Sequence, residues 1–382
     1  MSLSVLMFSY HFPPHYSGSA IQAINLAHEL RNSGINVSFC TVNHGGLKET
    51  EELDGFKVYR IEEGKGKYGE LVLWKNMWGL LKQKKTEFDV IHSHGAYLRN
   101  SFIGPLSRFF GKKSLVKVSL ADNDLHGMGK GKSGWLHKKF ISQVDRYISI
   151  SKRITRELAD YDLPDNKIRE IPNGVNTDMF YPAGIEDKLA LRKKYNLPED
   201  RTIFLYVGVI DERKNVKWLI DQWKEFAGID AAFLLVVGPV SREDKNGLFY
   251  NSLRSNEETL KDRLRFMKYT DSIEDLYRTA DVFILPSMNE GMPNVVLEAM
   301  ASGLPCLVNN ISGTEDVING SNGILFNHEE PESFYRGLEK LNDLNERASI
   351  ATEARQTIEN RYSMKYIAGK YSDLYMEMLS GS

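Results

Sequence analysis

A chain of 382 residues, 42% hydrophobic and 26% charged, has the length of two compact domains and the composition of an ordinary globular protein, which excludes collagen-like, low-complexity and disordered chains. The only two cysteines, Cys40 and Cys306, sit in apolar runs, so buried thiols are expected rather than a disulfide framework, and no apolar run approaches the roughly 18 residues of a membrane span. The net charge of −2 conceals an asymmetry: residues 1–170 carry 25 Lys+Arg against 18 Asp+Glu, and residues 108–156 alone hold 12 basic and 3 acidic side chains.

Short β-branched runs alternate with longer amphipathic stretches, the pattern of parallel βα units with helices on both faces of a sheet. The expected class is therefore α/β. In the first half, strands are expected at 4–10, 36–41, 57–61, 90–93, 115–119 and 146–150. A helix at 18–33 places Ile21, Ile24, Leu26, Ala27 and Leu30 at helical spacing and stops at Gly34. The opening MSLSVLMFSY reads as the first strand rather than a signal peptide, so a cytoplasmic location is expected, with the basic half facing solvent or the inner face of a membrane. A Pro and Asn-Gly turn at 171–175 precedes a second strand series at 202–209, 231–237, 263–267, 282–285, 305–308 and 323–326. The stretch 361–379 is amphipathic and rich in tyrosine.

The chemistry concentrates in residues 281–303, DVFILPSMNEGMPNVVLEAMASG. Its punctuation predicts a buried strand, a loop from Pro286, and a helix with Pro293 near its start and Gly303 past its end. Ligands of open α/β sheets bind at the carboxyl ends of strands, and the N–H groups at a helix start bind phosphate. The amides of Asn294 and Val295 are the candidates. Glu290 precedes this helix and Glu298 lies a turn inside it, so two carboxylates flank the phosphate position, each able to accept from vicinal hydroxyls. A transferred sugar at one end, a ribose at the other and a diphosphate between them would fit. Taken alone, Glu298 reads equally as an exposed helix residue or a salt-bridge partner.

The spacing Glu290-x7-Glu298, with Pro286-Ser287, Glu290-Gly291 and Glu298-Ala-Met-Ala-Ser-Gly-Leu-Pro305, resembles the donor-binding signature of the retaining glycosyltransferases of family 4, also called group 1 glycosyltransferases. The resemblance runs in order through Pro13-Pro14 to Gly18, DVIHSH at 89–94, Val144-Asp145 to Ser151, IPNGV at 171–175, Val207-Gly208 to Lys214, Leu276-Tyr277 to Asp281, and Gly313 to Phe326. It implies the GT-B fold: two doubly wound Rossmann-like domains facing a central cleft, an acceptor-binding domain at 1–172, a nucleotide-sugar-binding domain at 173–360, and a helix at 361–382 packing back across the seam. By position it implies that Glu290 contacts the donor sugar within the Glu290, Gly291 and Met292 loop, Glu298 the ribose hydroxyls and Lys214 the diphosphate. Lys214 with the helix-start amides would stabilise the departing diphosphate without a metal or any further cofactor. Gly18, lacking a Cβ, would let backbone approach phosphate from the first domain, its alternative being a plain turn.

Two departures from the family pattern stand out. Val209 occupies the place of an Arg that usually follows the glycine of the Val-Gly pair, leaving Arg213 as the candidate replacement. No His aligns after the strand at 115–119, where the chain reads SLADND, so Asp122, or His126 further on, is the candidate for an acceptor contact or base, with helix capping or solvent exposure as the alternative for either. Asp122-Asn-Asp124 resembles the metal-binding Asp-x-Asp of the other glycosyltransferase fold, but that fold is one domain without the Glu-x7-Glu element, and His92 and His94 follow a strand as in metal sites but have no third ligand or Cys cluster, so no metal is expected. No Walker or Gly-x-Gly-x-x-Gly loop is present, which argues against ATPase and dehydrogenase readings.

Trp74, Met77, Trp78, Leu80 and Leu81 precede Lys82, Lys84 and Lys85. This reads either as a basic amphipathic element for a membrane surface or as a core-packing helix with a charged end. The combined expectation is a hexosyltransferase using a nucleoside-diphosphate sugar and a hydroxyl of a glycan or lipid-linked acceptor in surface polysaccharide assembly, with peripheral membrane contact through the basic half and no nucleic-acid partner. Its rivals are a non-hydrolysing nucleotide-sugar epimerase, which would turn over without an acceptor, and a non-catalytic sugar-nucleotide binding protein, which would bind donor without turnover.

Overall fold

The computed structural model of the chain describes residues 3–381 apart from 16, 121–123, 126–130, 227–231, 242 and 269. It divides into two compact units, one made of Met1–Gly174 with Met364–Ser382 and the other of Val175–Ser363.

The first unit is built on β1 (Ser4–Ser9), β2 (Asn36–Val42), β3 (Thr50–Leu53), β4 (Phe56–Ile61), β5 (Val90–His94), β6 (Lys113–Val118), β7 (Arg146–Ser149) and β8 (Ile168–Glu170), in the order β3-β4-β2-β1-β5-β6-β7-β8. All neighbours are parallel except β3 with β4. The buried, β-branched strands are those of a sheet covered on both faces. The helix Gly18–Asn32 starts at Ser17, whose Oγ accepts from the Ala20 amide at 3.4 Å, and turns Ala20, Ala23, Leu26, Ala27 and Leu30 inward. The helix Gly69–Lys84 divides by face: Leu73, Met77 and Leu81 join Leu6, Phe8, Cys40 and Ile91 in one apolar cluster, while Leu71, Lys75, Trp78 and Lys82 face solvent. The last helix, Met364–Ser380, belongs to this unit and packs on Gly18–Asn32. Its Tyr371 and Tyr375 are fully buried, and the Tyr375 hydroxyl lies 2.7 Å from His92 Nδ1.

The second unit is an all-parallel sheet of β9 (Thr202–Val207), β10 (Ala232–Val237), β11 (Leu264–Met267), β12 (Val282–Leu285), β13 (Cys306–Asn309) and β14 (Ile324–Phe326), in the order β11-β10-β9-β12-β13-β14. From β9 the chain steps to one side and from β12 to the other. The β9 and β12 loops therefore leave the sheet side by side at a reversal of strand order, the place where open α/β sheets hold ligands. In the first unit the same reversal falls between β1 and β5.

Both cysteines are buried and unpaired as disulfides. Among the described residues, no helix is long and apolar enough to cross a membrane.

Candidate active site

In the second unit the loops after β9 and β12 are tied together. The Met288 amide donates to the Arg213 carbonyl at 3.0 Å, and Arg213 Nη1 donates to the Asn289 carbonyl at 2.8 Å. Asp211 Oδ1 accepts from the Lys214 amide at 2.8 Å, which fixes the backbone from which the lysine reaches Glu290. Lys214 Nζ forms an ion pair with Glu290 Oε1, while Arg213 Nη1 stands 3.8 Å from Glu290 Oε2. Glu290 is buried and the guanidinium largely exposed, so one carboxylate gathers an inner and an outer cation. Beneath the loop, the fully buried Tyr206 hydroxyl donates to the Val209 carbonyl at 3.1 Å. Burial, with the nearby Glu290 charge, holds that phenol well above its usual range.

From Glu290 the chain passes Gly291 and the buried Met292 into the helix Asn294–Ala301, with Pro293 as its cap residue. The expected helix is present, and Asn294 and Val295 are its first two residues. Glu298, one turn in, receives the Tyr277 hydroxyl on Oε2 at 2.8 Å. Burial pushes the Glu298 carboxyl up to about 7, and the Tyr277 bond only partly offsets this. The loop before the helix has no slack, because Gly313 comes close behind it: with φ +86°, a Cβ there would lie 2.1 Å from the Gly291 carbonyl oxygen. Arg213, Lys214, Glu290, Gly291, Met292, Asn294, Val295 and Glu298 are thus all carried by these two neighbouring loops and the helix that follows.

Gly18 belongs to the first unit and opens its first helix. Asp122 and His126 lie outside the described residues. At the β1/β5 reversal a cavity of about 370 Å³ is lined by Tyr10, His94, Tyr97, Arg99, Ser119 and Asp124 among others. Sequence reasoning weighed Asp124 only as half of an Asp-x-Asp. In the structure it is buried, its Oδ2 accepts from the Ser119 amide at 2.7 Å, Tyr97 bonds to it, and burial pushes its carboxyl up to about 6. His94, buried at the end of β5, has no hydrogen-bond partner on either ring nitrogen among the described residues, and burial together with His92 and Lys117 holds it neutral. Among the described residues, no three His, Cys, Asp or Glu side chains converge as metal ligands.

Two family descriptions match the two units. Residues 187–357 match the glycosyl transferases group 1, and residues 16–179 match glycosyltransferase family 4. The chain belongs to the group 1 glycosyltransferases of family 4 type and has the GT-B fold. As a member it is a glycosyltransferase acting on a sugar donor. It is 25% identical, over 99% of its length and the whole of the other, to the uncharacterized glycosyltransferase MJ1607 of Methanocaldococcus jannaschii. It is 28% identical to the Escherichia coli UDP-Gal:alpha-D-GlcNAc-diphosphoundecaprenol alpha-1,3-galactosyltransferase, over 78% of this chain and 77% of that one. The crystal structure of Anabaena Alr3699/HepE in complex with UDP superposes with a TM-score of 0.81 over 99% of this chain and 100% of that one, at 15% identity.

Proposed function

We propose that this glycosyltransferase is retaining and metal-independent, and that it moves a hexose from a UDP-sugar to a hydroxyl of a lipid-linked glycan in surface polysaccharide assembly, at the cytoplasmic face of a membrane. The observation that carries the reading is the Lys214–Glu290 ion pair set immediately before a helix whose first turn ends on Glu298. In this reading Glu298 accepts from the ribose hydroxyls, and the amides of Asn294 and Val295 face the diphosphate. Lys214, aided by Arg213 in the absence of a cation at Val209, meets the charge that grows on the diphosphate as it departs. Glu290 orients Lys214 and accepts from the sugar hydroxyls through its remaining lone pairs.

The bond from the anomeric carbon to the phosphate oxygen breaks, the bond to the acceptor oxygen forms on the same face of the sugar, and the acceptor's hydroxyl proton passes to the departing diphosphate. Asp122 is the sequence's candidate for the acceptor hydroxyl. The first unit's cavity offers Asp124 in the same loop, a buried carboxylate able to accept that hydroxyl's hydrogen bond. The UDP moiety and the lipid-linked acceptor are proposed from the Escherichia coli relative's substrates, and UDP also from the Anabaena complex.

Calorimetric titration with UDP-, GDP- and ADP-sugars in EDTA, on wild type and Glu298→Ala, tests the donor site. One nucleotide class should bind without a divalent ion and bind more weakly to the variant. Binding that needs a divalent ion, or that ignores Glu298, overturns the assignment. NMR of the anomeric configuration in the product tests retention.

A further inference from the structure

The cavity at the β1/β5 reversal has a wall whose hydrogen-bonding capacity is unmet. His94 ends β5, Asn100 lies in the short helix Leu98–Ser101 that follows, and both line the cavity although they are only 3% and 1% exposed. Ser93 Oγ donates to the Gly95 carbonyl at 3.0 Å, so toward Asn100 it can only accept, and Asn100 Nδ2 lies 3.1 Å from it. The amide is thereby fixed with Oδ1 turned from Ser93. Among the described residues that oxygen has no hydrogen-bond partner, and neither has either nitrogen of His94. Buried polar atoms left unpaired cost roughly 1–3 kcal/mol each, so three of them in one cavity wall mark a place where a ligand supplies the missing partners.

The kind of ligand follows from what is missing. Burial, with His92 and Lys117 nearby, holds His94 neutral, so its ring offers one N–H and one lone pair. Asn100 Oδ1 offers lone pairs alone. The wall therefore calls for two donors and one acceptor. A carboxylate or phosphate brings acceptors only and would set lone pairs against lone pairs, and an ammonium brings donors only, whereas hydroxyls bring both. The charges lining the cavity point the same way. Arg99 is matched within the wall, 3.7 Å from Glu63 and 4.3 Å over the Tyr10 ring, and the Asp124 carboxyl would repel an anion. Tyr10 and Tyr97 supply apolar ring surface for the C–H face of a pyranose, and a volume of about 370 Å³ lies at the small end of ligand pockets, in keeping with a sugar unit.

We propose that this cavity takes the sugar ring that carries the acceptor hydroxyl, and that His94 and Asn100 select an uncharged ring, a neutral hexose or N-acetylhexosamine, through adjacent hydroxyl or amide groups that a turn of the imidazole and of the amide brings within hydrogen-bond reach. Uronic acids and sugar phosphates are refused. The inference rests on the proposed transferase function, whose acceptor it narrows by chemical class.

The test is saturation-transfer NMR of the full chain with the methyl glycosides of glucose, galactose and N-acetylglucosamine, and with methyl glucuronide, methyl galacturonide and a phosphorylated methyl glucoside, each with and without UDP. Transfer is expected to at least one neutral glycoside, with roughly tenfold or greater preference over its acidic counterpart, because an acid leaves the wall's acceptors unpaired. His94→Phe and Asn100→Leu remove the unmatched atoms while keeping the bulk. Each should lose most of the glycoside binding, keep the wild-type UDP affinity and melt no lower than wild type, whereas a merely structural role would lower the melting point. If neither variant folds, the wild-type preference among the glycosides decides. Absence of transfer to every neutral glycoside, equal or better binding of the acidic ones, or undiminished binding by the folded variants overturns the proposal. UDP binding is read on the same samples, so a failed donor reading is distinguished from a failed acceptor inference.

Discussion

Tyr277 donates its hydroxyl to Oε2 of Glu298 across 2.8 Å, and the same phenol ring stands edge-on to Phe180 at 5.5 Å. The helix Ile273–Thr279, which supplies Tyr277, comes immediately before β12, and Glu298 follows β12. The carboxylate proposed to read the ribose is therefore oriented by the element on the far side of the strand that presents it.

If Glu298 reads the ribose as proposed, that arrangement gives donor binding a pH dependence. Burial raises the Glu298 carboxyl from 4.5 to about 7, so near neutral pH it is only partly ionised, and a carboxylate that accepts from hydroxyls works best ionised. Affinity for a UDP-sugar, whose diphosphate does not titrate in this range, is expected to rise between pH 6 and pH 8. Glu298→Gln should bind weakly with a flat profile. A wild-type profile as flat as the variant's would rule out this role.

The same shift has a stability consequence of the opposite sense. Between about pH 4.5 and pH 7 the unfolded chain releases the Glu298 proton while the folded chain keeps it, so rising pH removes stability across that window, up to ~3 kcal/mol. Gln accepts the Tyr277 bond without the buried charge. At pH 8, without ligand, Glu298→Gln is expected to melt above wild type, and thermal denaturation compared at pH 5 and pH 8 checks that the gain grows with pH.

Lys214 and Glu290 should behave as a coupled pair. Removing Glu290 leaves Lys214 a nearly buried, unmatched charge, and removing Lys214 leaves Glu290 only the outer Arg213, so each single alanine variant is expected to lose ~2 kcal/mol of stability and the double variant less than the sum. Transfer should fall about 100-fold or more in Lys214→Ala, mostly in kcat, if its charge matters most as the diphosphate leaves. A denaturation double-mutant cycle measures the coupling, and steady-state kinetics locates the loss.

Arg213, held at its guanidinium by the Asn289 carbonyl, is positioned to supply the charge missing at Val209. Arg213→Ala is expected to weaken UDP about tenfold while leaving uridine binding unchanged. Adding Val209→Arg should restore much of the UDP affinity. Equal losses for UDP and uridine would mean that Arg213 shapes the loop rather than meeting the diphosphate.

Gly313→Ala places a methyl into the Gly291 carbonyl from a left-handed backbone. Both the clash and the strain fall on the loop between β12 and the helix Asn294–Ala301, so a loss of about 2 kcal/mol or more is expected and, if that loop holds the donor, UDP binding should fall further than the melting point alone would explain. Calorimetry and thermal denaturation on the same preparation separate the two effects.

Much of this was legible in the sequence because β-branched runs and helix punctuation are local signals. The strands expected from those runs all appear, within two residues at each end. The two strands not expected are short: β3, TEEL, is polar, and β8 has three residues. A signal for β3 existed in Asp54-Gly55, whose φ values of 54° and 74° make the tight turn that joins it to β4. In the proposed donor site, Glu290 and Glu298 were named from spacing and Lys214 from the family resemblance, but the Tyr277 bond was not foreseen, because it depends on how a helix seats beside a strand. The sequence offered Asp122 or His126 and did not single out Asp124, since no periodicity tells which way a loop side chain points.

The placement of Met364–Ser380 in the first unit makes the second unit an uninterrupted insertion, entering at Val175 and leaving at Ser363. Its two ends are laced together: the Val175 amide donates to the Tyr362 carbonyl at 2.8 Å, and Val175 bridges Ser363 in parallel. A segment that begins and ends at one point can be exchanged as a cassette, because its host sees the same short gap whatever fills it. Evolution and the protein engineer can thus swap the second unit within a fixed first unit by two cuts placed at a single point.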